Sequence, residues 1–199
     1  LGTPEDLSRF IEKIDKKNKV INKKNSIILT TSGTTSNPKF VRLSNHNLFT
    51  NTEQIINYLK IKKKDITITT LPMAYSFGLS ILNTHLEAGA TVIINKDPIY
   101  SKNFWKKIND YNVCSFGTVP VVYQYLQKIN FEKFIVNSLR YLTVAGGRTN
   151  KDTLKYLYKI CKKRGIKFFV MYGQTEASPR MSYFDLTKYP KKIDSIGKP

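Results

Sequence analysis

The feature that most limits how this chain can fold is an alternation of short apolar runs with longer amphipathic stretches. Ile27 to Thr30, Ile66 to Leu71, Thr91 to Ile94, Val113 to Thr118, Leu139 to Ala145 and Ile166 to Tyr172 read as strands. Between them the apolar residues recur at helical spacing. Ser44 can cap a helix that turns Leu48, Ile55, Ile56 and Leu59 inward, and Ser101 one that turns Phe104, Ile108 and Tyr111 inward. Pro120 suits the first turn of a third, with Val122, Leu126 and Ile129 facing the core, and Gly165 suits the end of a fourth that carries Leu154, Leu157 and Cys161. Repeated strand and helix predict an α/β fold, a largely parallel sheet flanked by helices. In such sheets ligands gather at the carboxyl ends of strands. The charged opening, through about Lys24, reads as helix or connector outside this pattern.

Composition narrows the class. At 199 residues, with 41% hydrophobic and 12% aromatic content, the chain has enough apolar material for one packed domain or most of a larger one. No apolar run reaches the length of a membrane span, and the first residues lack the basic-then-apolar pattern of a secretion signal. Cys114, in an expected strand, and Cys161, in an expected helix, show no metal-ligand spacing. They read as reduced core thiols, which makes the cytoplasm the default location. A net charge of +19 raises the possibility of nucleic-acid binding. The lysines, however, fall in short groups such as Lys62 to Lys64, Lys106-Lys107 and Lys162-Lys163, the pattern of solvated helix faces. The expectation is therefore no nucleic-acid partner, with a basic nucleic-acid-binding module as the alternative.

Chemistry concentrates after the strands. Thr30 to Lys39 (TTSGTTSNPK) sets hydroxyl side chains, Gly33, Pro38 and Lys39 behind the first apolar run, a poor core and a good phosphate cradle. It departs from the Walker loop, since Pro38 occupies the place of the glycine before the lysine. In Tyr172-Gly173-Gln174-Thr175-Glu176, Tyr172 offers a ring for a base to stack on and Gly173 permits close backbone approach. Thr175 and Glu176 supply the hard oxygen atoms that magnesium prefers beside a triphosphate. Gly146-Gly147 lets backbone lie against a flat ligand, although a tight turn is the ordinary explanation of that pair. Tyr75 and Phe77 either shape a pocket or fill core. His46 and His85 match no catalytic element and read as ordinary surface or helix residues.

The hydroxyl-rich loop resembles the phosphate-binding signature of the AMP-binding, acyl-adenylate-forming superfamily. That group includes acyl-CoA and aryl-CoA ligases, luciferases and peptide-synthetase adenylation domains. Four further segments follow in the superfamily's order: Leu71 to Gly78 (LPMAYSFG), Ala145 to Arg148 (AGGR), Met171 to Ala177 (MYGQTEA) and Ser195 to Pro199 (SIGKP). The resemblance covers nearly the whole chain and implies that residues 1–199 are part of the large domain. The preceding subdomain and the small C-terminal domain are expected to be absent, leaving a fragment that holds part of the nucleotide but is deficient in turnover.

What the resemblance implies is ATP-dependent activation of a small carboxylic acid to an acyl-adenylate. Transfer to a thiol of CoA, or of a phosphopantetheine arm on an acyl carrier protein, would follow. Thr31, Ser32, Gly33, Thr34, Thr35 and Lys39 would bind the ATP phosphates, and Gly147, Tyr172, Gly173 and Gln174 the adenine. Tyr75, Phe77, Gly78 and Gly146 would line the substrate pocket. Lys39, Thr175 and Glu176 would be the catalytic groups, with Glu176 holding Mg2+. Tyr75 stands where many members carry histidine, and Arg148 where many carry a small residue. A carrier-protein-loading domain and a non-catalytic scaffold are the alternatives within this reading.

Overall fold

The computed structural model describes residues 25–31 and 39–199. Strand β1 (Asn25–Thr31) pairs antiparallel with β2 (Lys39–Ser44), and the pair forms a sheet of its own. The first apolar run is thus a strand, as expected, but lies outside the parallel sheet. Its partner β2 (KFVRLS) was not anticipated, because charged residues interrupt it and its apolar burial rests mainly on Leu43.

The main sheet comprises β3 (Ile66–Ile68), β4 (Thr91–Ile93), β5 (Ser115–Thr118), β6 (Tyr141–Val144), β7 (Lys167–Tyr172) and β8 (Ser182–Asp185). Its order is β4-β3-β5-β6-β7-β8, all parallel except β8, which runs antiparallel to β7. Since β3 has β4 on one side and β5 on the other, the winding reverses between β3 and β5. In open sheets such a reversal leaves a crevice at the strand ends.

Among the described residues five α-helices cover the sheet. Helix α1 (Asn45–Leu59) starts at a reciprocal cap in which the Ser44 hydroxyl accepts from the Asn47 backbone N–H, 3.1 Å away, and the Asn47 side chain accepts from the Ser44 N–H. Helix α2 (Ser76–Glu87) begins inside the segment read only as a pocket motif, so its helical character was missed. The remaining three are α3 (Lys102–Asp110), capped by Ser101, α4 (Pro120–Lys128), with proline in its first turn, and α5 (Lys151–Arg164). Helix α5 ends on Gly165 at φ 68°, a left-handed residue that suits glycine.

Alternation along the strands builds two cores. Leu142, Val144, Phe168 and Phe184 pack with Phe104, Leu126 and Leu157 from α3, α4 and α5, while Tyr141, Phe169 and Met171 pack with Ile55, Leu59 and Ile81 from α1 and α2. Tyr111 does not face inward as its spacing suggested. Helix α3 stops at Asp110, and Trp105 takes the buried place, set edge-on to Phe104. Gly117 in β5 is buried where a side chain would collide with Thr143, Ile81 and Phe77, so its smallness lets α2 settle onto the sheet. Cys161 is buried, and that burial pushes its thiol up to about 12. Among the described residues no helix is long and apolar enough to cross a membrane.

Candidate active site

Three loops meet where the winding reverses. The segment after β3 folds back on itself: the Tyr75 N–H donates to Pro72 O at 3.1 Å, and Gly78 abuts that same carbonyl so closely that a side chain would not fit. The Tyr75 hydroxyl then occupies the space a side chain on Gly146 would need, and Val119 from the end of β5 borders the same point. Gly146 sits at φ 86°, a second reason for glycine. Gly147 is different, since an added methyl there would meet only the Pro120 ring at 3.6 Å, an ordinary contact. The fold does not require that glycine. It leaves open, exposed backbone at the strand end.

After β7, a short 3-10 turn (Thr175–Ala177) presents the motif residues. Tyr172 is 45% exposed at the end of the strand, and Gln174 and Glu176 are exposed. The Thr175 hydroxyl donates to Ser76 Oγ at 3.1 Å, tying this turn to the start of α2. Gly173 leaves room for the backbone of Arg180, which crosses directly against it. Ser178 and Arg180 both hold left-handed backbone, at φ 60° and 66°, and Asn51 of α1 braces the loop by donating to Pro179 O at 2.9 Å. Strain of this kind persists only where surroundings fix it.

Strand β2 packs against the Thr175–Ala177 turn. Thr31 and Lys39 are the last register pair of the hairpin, so together they close the base of the loop they bound, with Lys39 exposed. Ser32, Gly33, Thr34 and Thr35 lie outside the described residues. The structure therefore brings strand β2 beside the Thr175–Ala177 turn, and Tyr75 beside Gly146. Phe77, by contrast, is 2% exposed and belongs to the core between α2 and the sheet. Sequence reading missed Ser76, Val119 and Pro120. The strand-end rule, applied after β5, would have found the last two.

The donor set fits a magnesium-nucleotide complex. Glu176 makes no ion pair with a described residue, so its carboxylate is available. The described residues hold no cluster of three or more metal-ligating side chains. One carboxylate beside phosphate oxygens is the usual way a protein holds magnesium, which dehydrates reluctantly.

His85 lies behind this surface and is 2% exposed, not at the surface. Its Nδ1–H donates to Ile81 O at 2.7 Å, leaving Nε2, 3.0 Å from the Tyr141 hydroxyl, to accept. Burial chiefly, with the nearby Arg180 charge, holds its pKa down at about 4. Arg140 closes the far end of this helix pair through its ion pair with buried Asp65.

Residues 4–199 match the family described as AMP-binding enzyme. The chain belongs to that family of adenylate-forming enzymes. It is 28% identical over 176 residues to an oxalate–CoA ligase of Saccharomyces cerevisiae, a match covering 87% of this chain and 31% of the relative. The o-succinylbenzoate CoA synthetase of Bacillus subtilis, solved with its acyl-adenylate intermediate, superposes with a TM-score of 0.75 at 25% identity, over 86% of this chain and 34% of that one. The same synthetase solved with ATP and magnesium ion gives a TM-score of 0.72 at 25% identity, over 86% and 35%. The chain thus spans about a third of the length of the relatives it matches.

Proposed function

We propose that this chain is the nucleotide- and acid-holding part of an enzyme that activates a carboxylic acid with ATP and passes the acyl group to a CoA-type thiol. The observation that carries this reading is the packing of β2, the strand that Lys39 opens, against the Thr175–Ala177 turn, together with the Thr175–Ser76 bond and the Tyr75–Gly146 contact. Family membership and the names of the relatives, ligases of oxalate and o-succinylbenzoate with CoA, support the same chemistry.

In this reading a carboxylate oxygen attacks the α phosphorus of ATP and pyrophosphate leaves. Lys39 and Thr31 hold the phosphates from the hairpin side, and Thr175, fixed by Ser76, holds them from the other. The ring of Tyr172, the open backbone of Gly147 and the backbone of Gly173 and Gln174 take the adenine. Glu176 would hold magnesium, which when bound would offset the repulsion of two anions and stabilise charge on the departing group. Gly146 and Gly78 bound the acid, and Tyr75 gates the thiol as an aromatic group without a base. The acceptor is CoA or a carrier-protein arm, and a reducing compartment such as the cytoplasm suits Cys114 and Cys161, both free. This chain corresponds to a central piece of the large domain of such an enzyme.

The lysines favour no nucleic-acid stripe: Lys106 and Lys107 on α3, and Lys151 and Lys163 on α5, each engage a carboxylate. Thermal melts of the purified chain with Mg·ATP and, separately, with duplex DNA test this. Stabilisation by Mg·ATP alone is expected. Stabilisation by DNA alone, vanishing steeply with salt, would contradict the reading.

A further inference from the structure

Every strand of the parallel sheet is entered from a helix, so the turns from helix to strand gather on the rim opposite the candidate site. Hydrogen bonds tie that rim into one row. The Thr91 N–H donates to Asp65 O at 3.0 Å, the Cys114 N–H to Ile66 O at 2.8 Å, the Arg140 N–H to Cys114 O at 2.7 Å and the Lys167 N–H to Arg140 O at 3.0 Å. Two exposed basic clusters stand on this row. Lys62, Lys63 and Lys64 lead from α1 into β3, on one face of the sheet, and Lys162, Arg164 and Lys167 lie where α5 leads into β7, on the other. None of them pairs with a described carboxylate.

Most of the acidic groups on this rim are already engaged. Asp65 is bound by Arg140, Asp110 by Lys106 and Glu132 by Lys163, while Asp185 accepts from Thr187 and Glu87 ends α2. Helix dipoles explain part of the excess, since Lys162 and Arg164 sit in the last turn of α5, at its negative end. They do not explain Lys62 to Lys64. Those three lie past the end of α1, which has no basic residue in its last turn, and adjacent like charges repel one another.

Strands β5 and β6 separate β3 from β7, so the two clusters stand about 14 Å apart along the sheet, as well as on opposite layers of it. The basic surface is therefore broad in two directions. Tyr111, 55% exposed, sits in the turn that enters β5, between the two clusters.

We propose that this rim docks the protein on an anionic lipid bilayer, with the two clusters against headgroup phosphates and Tyr111 at the headgroup level. A plane of negative charge meets both clusters at once, whereas a nucleic-acid backbone follows a line. Single strands are also held by successive aromatic rings, and this rim offers one between its clusters. Docked this way, the candidate site on the opposite rim faces away from lipid and stays open to reactants in water.

Flotation of the purified chain with vesicles of phosphatidylcholine alone, or with about one third phosphatidylserine, tests this without nucleotide. Partition onto the anionic vesicles is expected to exceed that onto neutral ones by at least ~10-fold, and to vanish at ~0.5 M salt. Replacing Lys62, Lys63 and Lys64 together by Gln should lower it by at least ~10-fold. The same loss of charge at Lys96, Lys102 and Lys155, which lie nearer the candidate-site rim and beyond the reach of screened attraction, should change it by less than ~2-fold. Equal partition onto the two kinds of vesicle, no partition onto either, or equal losses in the two triple variants overturns the proposal. So does a Lys62 to Lys64 variant that loses a DNA oligonucleotide yet keeps the vesicles, which would assign the rim to nucleic acid. The wild-type comparison decides the matter even where a variant fails to fold. Failure here leaves the adenylation reading untouched, because that reading fails instead by absence of the Mg·ATP stabilisation.

Discussion

Thr175 Oγ1 and Ser76 Oγ stand 3.1 Å apart, a hydrogen bond that joins the turn after β7 to the first residue of α2 across 99 positions of sequence. Both hydroxyls lie among residues that the proposed reaction uses, and Ser76 is itself buried. The bond fixes which way Thr175 presents its remaining lone pairs. Ser76→Ala is expected to cost about 1 kcal/mol of Mg·ATP binding, or roughly five-fold in affinity, with a smaller effect on thermal stability. Calorimetric titration of both proteins checks this, and equal affinities would remove Thr175 positioning from the account.

Two glycines separate site from fold. At Gly147 a methyl finds only Pro120 at 3.6 Å, so Gly147→Ala should change stability by less than about 0.5 kcal/mol. If adenine lies on that backbone, the same change weakens nucleotide binding by roughly ten-fold. Gly117→Ala does the opposite kind of damage: its methyl meets Thr143 Oγ1, Ile81 Cδ1 at 3.0 Å and Phe77 Cζ at 3.2 Å. Overpacking there is expected to cost about 1–3 kcal/mol by urea denaturation.

His85 makes the fold acid-sensitive. Its pKa in the folded chain is about 4 against an ordinary value of 6.5, so between those values the unfolded chain binds a proton that the folded chain refuses. Stability is therefore full above about pH 6.5 and falls as pH drops toward 4, by an amount on the order of 3 kcal/mol from this group. His85→Gln should flatten that slope between pH 4.5 and 7, read as denaturant midpoints. An unchanged slope would mean that other groups govern it.

The parts of this molecule that follow from local pattern were legible in its sequence. Ser44, Ser101, Pro120 and Gly165 mark helix ends because each supplies a backbone need that few residues meet, and all four do so in the structure. What failed depends on partners distant in sequence. Nothing local tells Ile27 to Thr30 to pair with β2 in a separate hairpin, since a buried strand reads the same in either sheet. Helix α2 was hidden because Ser76, Phe77 and Gly78 look like loop chemistry, and its burial reaches polar residues such as Ser80 and Thr84. His85 reads as an ordinary surface or helix residue until the Tyr141 hydroxyl is seen to close over it inside the fold. For the proposed site, the order of the motifs named only the candidate loops. The Thr175–Ser76 bond and the Gly173–Arg180 crossing needed coordinates.

The central claim is that the Thr31–Lys39 hairpin and the Tyr172–Glu176 turn grip one magnesium-bound nucleoside triphosphate. Its most direct measurement is the affinity of Mg·ATP for the wild-type chain, Lys39→Ala, Glu176→Gln and the surface control Lys62→Ala, each with and without magnesium. The account predicts that K39A and E176Q each weaken binding by about ten-fold or more, that E176Q loses most of the magnesium dependence, and that K62A matches the wild type. Binding that is absent from the wild-type chain, or that is as strong and as magnesium-dependent in E176Q, would contradict it.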